Sequence, residues 1–122
     1  MAKTGAPQIL QHLLSIDSHL EHFNWEPFKE GVDIHRIYGE DHEGQAAALL
    51  RYEAGAKVAT HVHSGYEHIL ILSGSQTDGD AVYGKGTLMI SAPGSQHRIV
   101  SDKGCIVLAI WQAPVKFSLN DI

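Results

Sequence analysis

Residues 60–68 read THVHSGYEH, which places His61 and His63 one residue apart and Glu67 four residues after the second. On a helix, residues two apart do not face each other. On a strand they stand side by side on one face, so both imidazoles would enter one pocket. The tripeptide SGY can then turn the chain so that Glu67 opens the next strand toward the same interior. Imidazole nitrogens and a carboxylate oxygen on one concave surface are donors that a divalent transition metal accepts. The plain alternative is an amphipathic strand that shows both histidines to solvent beside a solvated carboxylate. His97 weighs against it, because it follows the Pro93–Gly94 turn and can bring a ligand from a separate part of the chain.

Such donors need a rigid scaffold, and the chain can supply one. Its 122 residues suffice for one domain with a real core, and 43% hydrophobic residues with mixed charge fit an ordinary globular protein. The formal net charge of -5 argues against a nucleic-acid partner, which would need clustered Lys and Arg. A single cysteine, Cys105, excludes an intramolecular disulfide and a cysteine-rich zinc site, and reads as a core residue. No run approaches the roughly 20 apolar residues of a membrane span and no signal-peptide stretch is present, so a cytoplasmic location without membrane attachment is expected.

Pro7 and the spacing of Ile9, Leu10, Leu13 and Leu14 predict a short helix in APQILQHLLS. From residue 32 onward, short Val/Ile/Leu/Ala segments alternate with turns rich in Gly, Asp and Pro, as in a sandwich or barrel. Eight strands are expected, at 32–38, 45–53, 58–63, 67–73, 87–91, 97–101, 105–112 and 115–119, with the end of a further strand in TDGDAVYG. The segments HILIL and CIVLAIW are apolar on both faces, so the outer face needs a cover, either the N-terminal segment or a second subunit. A homodimer is the expected solution. The division expected is a partly helical N-terminal extension over 1–24 and a barrel over 25–122.

Gly55, His61, His63, Glu67 and Gly74 satisfy every position of the first cupin motif, Gly-x5-His-x-His-x3-4-Glu-x6-Gly. Gly86, Gly94 and His97 fit the second motif, with Ala92 in place of its proline, Pro93 one position late and Ser101 in place of its asparagine. The stretches WEPFKEGVDIHRIYGE, ALLRYEAGAKVATHVHSGYEHILILSGSQTD and APGSQHRIVSDKGC resemble the ChrR-like cupins, named for the C-terminal domain of an anti-sigma factor. That resemblance implies an all-β cupin jelly-roll barrel, the double-stranded β-helix, with His61, His63, Glu67 and His97 as ligands of one metal ion per chain. It implies no anti-sigma activity, which in that family belongs to an additional N-terminal zinc domain, whereas about 25 residues precede the cupin-like part here.

Three histidines and a glutamate would leave a divalent ion one or two open positions, as a site that does chemistry requires. The chain is also similar to acetylacetone-cleaving dioxygenase cupins, which implies a metal-dependent, dioxygenase-type enzyme acting on a small oxygen-bearing molecule. The alternative is a zinc-binding or small-molecule-binding cupin without turnover, a sensor or regulatory module. A metal-free isomerase is disfavoured, because all four ligand positions carry ligand-type residues. Iron or zinc is expected first, and manganese, nickel and copper are compatible with the same donors. Tyr66, His68 and Arg98, neighbours of the ligands in sequence, are candidates for contacts beside the metal. His12, His19, His22, His35 and His42 read as surface, loop or strand-end residues.

Overall fold

The computed structural model describes residues 5–39, 44–113 and 115–117. His42 and residues 118–119 of the last expected strand lie outside the described residues. The short alternating segments form ten strands: β1 (Glu26–Lys29), β2 (Val32–Tyr38), β3 (Ala46–Tyr52), β4 (Ala56–His63), β5 (Glu67–Asp78), β6 (Ala81–Gly84), β7 (Leu88–Ser91), β8 (Gln96–Ser101), β9 (Cys105–Trp111) and β10 (Val115–Phe117). All pairings are antiparallel. The order is β1-β2-β3-β9-β5-β8-β4-β10, with β6 and β7 also paired to β5. This is the curled jelly-roll sheet that the turn spacing and the motif resemblance imply. The sequence reading lacked β1, whose Pro27 suits only an edge strand, and β1 does lie at the sheet's edge.

Strand β5 is the hub and is longer than its apolar run suggests. Its first half pairs with β9 and β7, and its second half pairs with β6 and β8. Between Ile71 and Ser73 the register with β9 shifts by one residue. Glu67, Ile69 and Ile71 are buried before this bulge, whereas Gln76 is the buried residue after it, so the inward set changes from odd to even numbers. Gly74 makes the bulge feasible: its φ is +74°, and a Cβ there would collide with the Gly104 carbonyl and lie 2.8 Å from the Cys105 Cα. A second shift, between Val58 and His61 in β4, does the same for the histidine pair.

Two apolar clusters flank the sheet. The interior one includes Val32, Ile34, Leu50, Ile69, Ile71, Ile99, Val107 and Trp111. The exterior one joins Leu49, Leu72 and Ile106 to Ile16, with Leu10, Leu13, Leu20, Phe23 and Trp25 packed against it. The chain's own N-terminal segment therefore covers the part of the outer face around Leu49, Leu72 and Ile106, while Ile110 at the other end of β9 stays exposed.

The helix expected in APQILQHLLS is not formed. Residues 6–12 are irregular, and two 3₁₀ turns follow at Leu13–Ser18 and Leu20–His22. His12 at φ +64° and Ser15 at φ −124° break helical continuity. The reason lies in the target surface. In a 3₁₀ turn, residues three apart lie in line, and Leu13 and Ile16 use that spacing to reach the sheet, with Leu10 joining them from the irregular stretch, while Ile9 and Leu14 remain exposed. Polar ties fix the strap: Ser73 Oγ donates to Asp17 Oδ2 at 2.5 Å, Lys85 Nζ donates to the Leu14 carbonyl at 2.5 Å, and Trp25 Nε1 donates to the Leu20 carbonyl at 3.0 Å.

Candidate metal centre

Three strands converge on one buried point. β4 contributes His61 and His63, β5 opens with Glu67, and β8 places His97 directly opposite His61 in the ladder. The ligand atoms of these four side chains all lie within 4.8 Å of one another. Bonds of about 2.0–2.2 Å put opposite donors of one ion about 4.4 Å apart and adjacent ones about 3–3.5 Å, so side-chain movements of up to about an ångström would close the set. The three imidazole rings meet nearly edge to face, with centroids 4.5–5.0 Å apart. This is a donor set that fits a divalent transition metal.

The outer nitrogens of the rings orient the inner ones. His61 Nδ1 lies 2.8 Å from the Ala59 carbonyl, which the β4 bulge turns toward it. His63 Nδ1 lies 3.2 Å from the Ser95 carbonyl and 3.1 Å from Ser95 Oγ, whose own hydroxyl donates to the Ala92 carbonyl. His97 Nδ1 lies 3.3 Å from Asp78 Oδ2. Each Nδ1 thus carries a proton toward an acceptor, and Nε2 is the nitrogen presented to the centre. Asp78 and Ser95 escape sequence reasoning, and the signal for Asp78 would have required knowing the β5 bulge.

Burial and charge pull the rings apart. Burial pushes His61 below the ordinary histidine value. Hydrogen bonding to Glu67, His63 Nε2 to Oε1 at 3.0 Å, raises His63 above it against the effect of burial. Without metal, His63 can donate from both nitrogens as an imidazolium paired with Glu67. A metal ion would take the place of that Nε2 proton.

A cavity of about 80 Å³ opens against His61, Glu67 and His97. Phe28, Leu50, Val58, Ile69, Ile99, Ala109 and Trp111 form its apolar walls, and Lys29, Tyr52 and Gln76 supply the remaining polar groups. At roughly 10–15 Å³ per water-sized sphere, it holds about five to eight non-hydrogen atoms. Tyr66, His68 and Arg98 do not line it. His68 and Arg98 are next in sequence to a candidate ligand within a strand, and alternation turns such neighbours to the opposite face; Tyr66 lies in the turn before β5, and it and Arg98 are exposed, with the Tyr66 and His68 ring centroids 6.4 Å apart. Cys105 is buried beside Gln76, and burial pushes its thiol upward. His12, His19 and His22 gather at the surface, their rings 4.3–6.0 Å apart. His35 lies within β2, half-buried, and its Nδ1 accepts from the Asn24 backbone N–H at 3.0 Å.

No curated protein matches the chain. Among solved structures, a chain from the complex of Rhodobacter sphaeroides SigE with the anti-sigma ChrR is 28% identical with a TM-score of 0.66, and covers 76% of this chain and 50% of its own. A cupin-like protein of unknown function from Ralstonia eutropha is 17% identical with a TM-score of 0.66, over 75% of this chain and 61% of its own. The present chain therefore spans half to three-fifths of the length of these two relatives. Acetylacetone dioxygenase from Acinetobacter johnsonii is 15% identical with a TM-score of 0.73, over 100% of this chain and 83% of its own, a likeness of fold. The model of the ChrR cupin-like domain matches residues 15–115, which include all four candidate ligands and both bulges, and the chain belongs to that family.

Proposed function

We propose that the protein is a metal-dependent enzyme of dioxygenase type acting on a small, oxygen-bearing organic molecule. The observation that carries this reading is the coincidence of four convergent ligand groups with a small, apolar cavity open against three of them. A divalent ion bound there would act as a Lewis acid toward a ligand oxygen and, if iron, supply electrons to dioxygen. The chain's own part is to hold three imidazoles as Nε2 donors, balance charge with Glu67, and exclude bulk water with Phe28, Val58, Ile99 and Trp111. The volume limits the substrate to about eight non-hydrogen atoms at most within the cavity. Iron or zinc, one ion per chain, heads the proposal.

The test is elemental analysis of protein purified without oxygen, wild type beside His97→Ala, followed by oxygen-consumption assays with small diketones and diols. Near-stoichiometric iron or manganese, lost in the variant, together with turnover, supports the enzyme reading. Zinc that persists on reconstitution with other metals, without turnover, favours a binding or sensory cupin. Two metal-free proteins that take up no added metal sink both. A homodimer belongs to the same proposal, on the ground that Leu88, Ile90 and Ile110 remain exposed on β7 and β9, the strands that flank the first half of β5; light scattering of the purified chain tests it.

A further inference from the structure

Gln76 is a buried amide in a place where an apolar side chain would pack. It is 1% exposed, lines the cavity, and reaches the interior only because the β5 bulge reverses the alternation. Its amide nitrogen donates toward Cys105 Sγ at 3.7 Å, and the amide hydrogen-bonds the Tyr52 phenol. Its carboxamide oxygen has no partner and is, among the described residues, the buried side-chain polar atom left unsatisfied. Leaving a buried acceptor unpaired costs free energy that an apolar residue would avoid. The other non-ligand polar residues of the lining are Tyr52, already engaged with Gln76, and Lys29, which lies at the surface.

We infer that Gln76 is a ligand-recognition residue, whose carboxamide oxygen accepts a hydrogen bond from a hydroxyl or amine of the molecule in the cavity that is not itself a metal ligand. The inference rests on the reading above that a small oxygen-bearing molecule binds at this site, and it narrows that molecule. A bare dicarbonyl, bound through both oxygens as its enolate, has no donor to offer. A hydroxylated carbonyl compound does, and fits the same volume. A site built to pair such a hydroxyl discriminates against the analogue that lacks it, because the polar group is then left unpaired.

The test compares three probes on the Co(II)-loaded full chain, whose visible absorption reports ligand binding at the metal: pentane-2,4-dione, 1-hydroxypentane-2,4-dione and hexane-2,4-dione, which carries a methyl group in place of the hydroxyl at the same size. The hydroxy compound is expected to bind wild type at least tenfold more tightly than the parent, with the methyl compound gaining far less. In Gln76→Met, with the cobalt spectrum and melting temperature confirming a folded, loaded protein, the hydroxy preference falls to within twofold. The wild-type comparison stands alone if the variant does not fold. Equal binding of parent and hydroxy compounds, equal gain from hydroxyl and methyl, or a preference that survives in Gln76→Met overturns the assignment of Gln76 alone. If none of the three alters the cobalt spectrum, the reading of a small oxygen ligand at the metal falls, and this inference with it.

Discussion

Removing the Asp78 carboxylate should weaken metal binding without touching a ligand. Asp78 Oδ2 accepts from His97 Nδ1 at 3.3 Å and so holds the ring with Nε2 toward the centre. Loss of such outer partners commonly costs 10–100-fold in metal affinity. The contact is long and the Asp78 side chain is 35% exposed, so solvent screens the charge. We therefore expect about tenfold for Asp78→Ala, or about 1.4 kcal/mol. Asp78→Asn keeps an acceptor oxygen and loses only the charge, so its effect should be smaller, about two- to threefold. The assay is competition for Zn(II) against a chromophoric chelator at pH 7.5, with His97→Ala as the reference for a lost ligand. Wild-type affinity in Asp78→Ala would refute the argument that this carboxylate orients His97, and equal losses in both variants would refute the separate roles given to charge and acceptor.

Three further outcomes follow from the packing and charge. Ile16→Ala should cost about 2–3 kcal/mol in urea unfolding, near the lower end for core truncations, because the strap can partly collapse onto the sheet; Leu14→Ala, at a residue 71% exposed, should change stability by under about 0.5 kcal/mol. In metal-free protein, the raised His63 contributes stability that is present below the ordinary histidine value and lost as pH rises through its folded one. The stability gap between wild type and Glu67→Gln should therefore be wider at pH 6 than at pH 8.5, and a gap independent of pH would discard the His63–Glu67 pair as its source. Gly74→Ala should lower the melting temperature steeply, since the new Cβ meets backbone at Gly104 and Cys105 and the φ of +74° disfavours any side chain; a melting curve like that of wild type would mean that the bulge relaxes easily.

The convergence of His61, His63, Glu67 and His97 was legible because it depends on local facts: a two-residue spacing on a strand and a turn that reverses the chain. The same alternation places His68 and Arg98, immediate strand neighbours of candidate ligands, on the other face, while Tyr66 stays in the exposed turn before β5. Asp78 and Gln76 were hidden for a different reason. Strict period-2 reading from Glu67 puts Ser75 and Thr77 inside, and nothing in ILILSGSQ announces that one residue is looped out between Ile71 and Ser73. The strap illustrates a third limit. Its apolar residues were recognised, but spacings of three and four are both helical in sequence, and only the flat outer face decides that Leu10, Leu13 and Ile16 are used while Ile9 and Leu14 are not. Cover for that face was demanded by the apolar pattern, and that the chain's own segment reaches Leu72 and Ile106 but not Ile110 is a matter of tertiary reach that periodicity does not encode.

The β5 bulge also bears on how such a cavity can diversify. Because one looped-out residue sets which residues of the strand's second segment look inward, deleting Leu72 would only straighten the strand with Gln76 still inside, whereas deleting a single residue between the bulge and Gln76 would turn Gln76 and Asp78 outward and bring Thr77 inward while leaving Glu67 in place. An insertion or deletion of one codon there would swap the interior groups together, a step that no series of single substitutions takes at once. Length variation at this point of the strand, more than residue replacement, is the quick route by which relatives of this chain could keep one metal centre and change what it recognises.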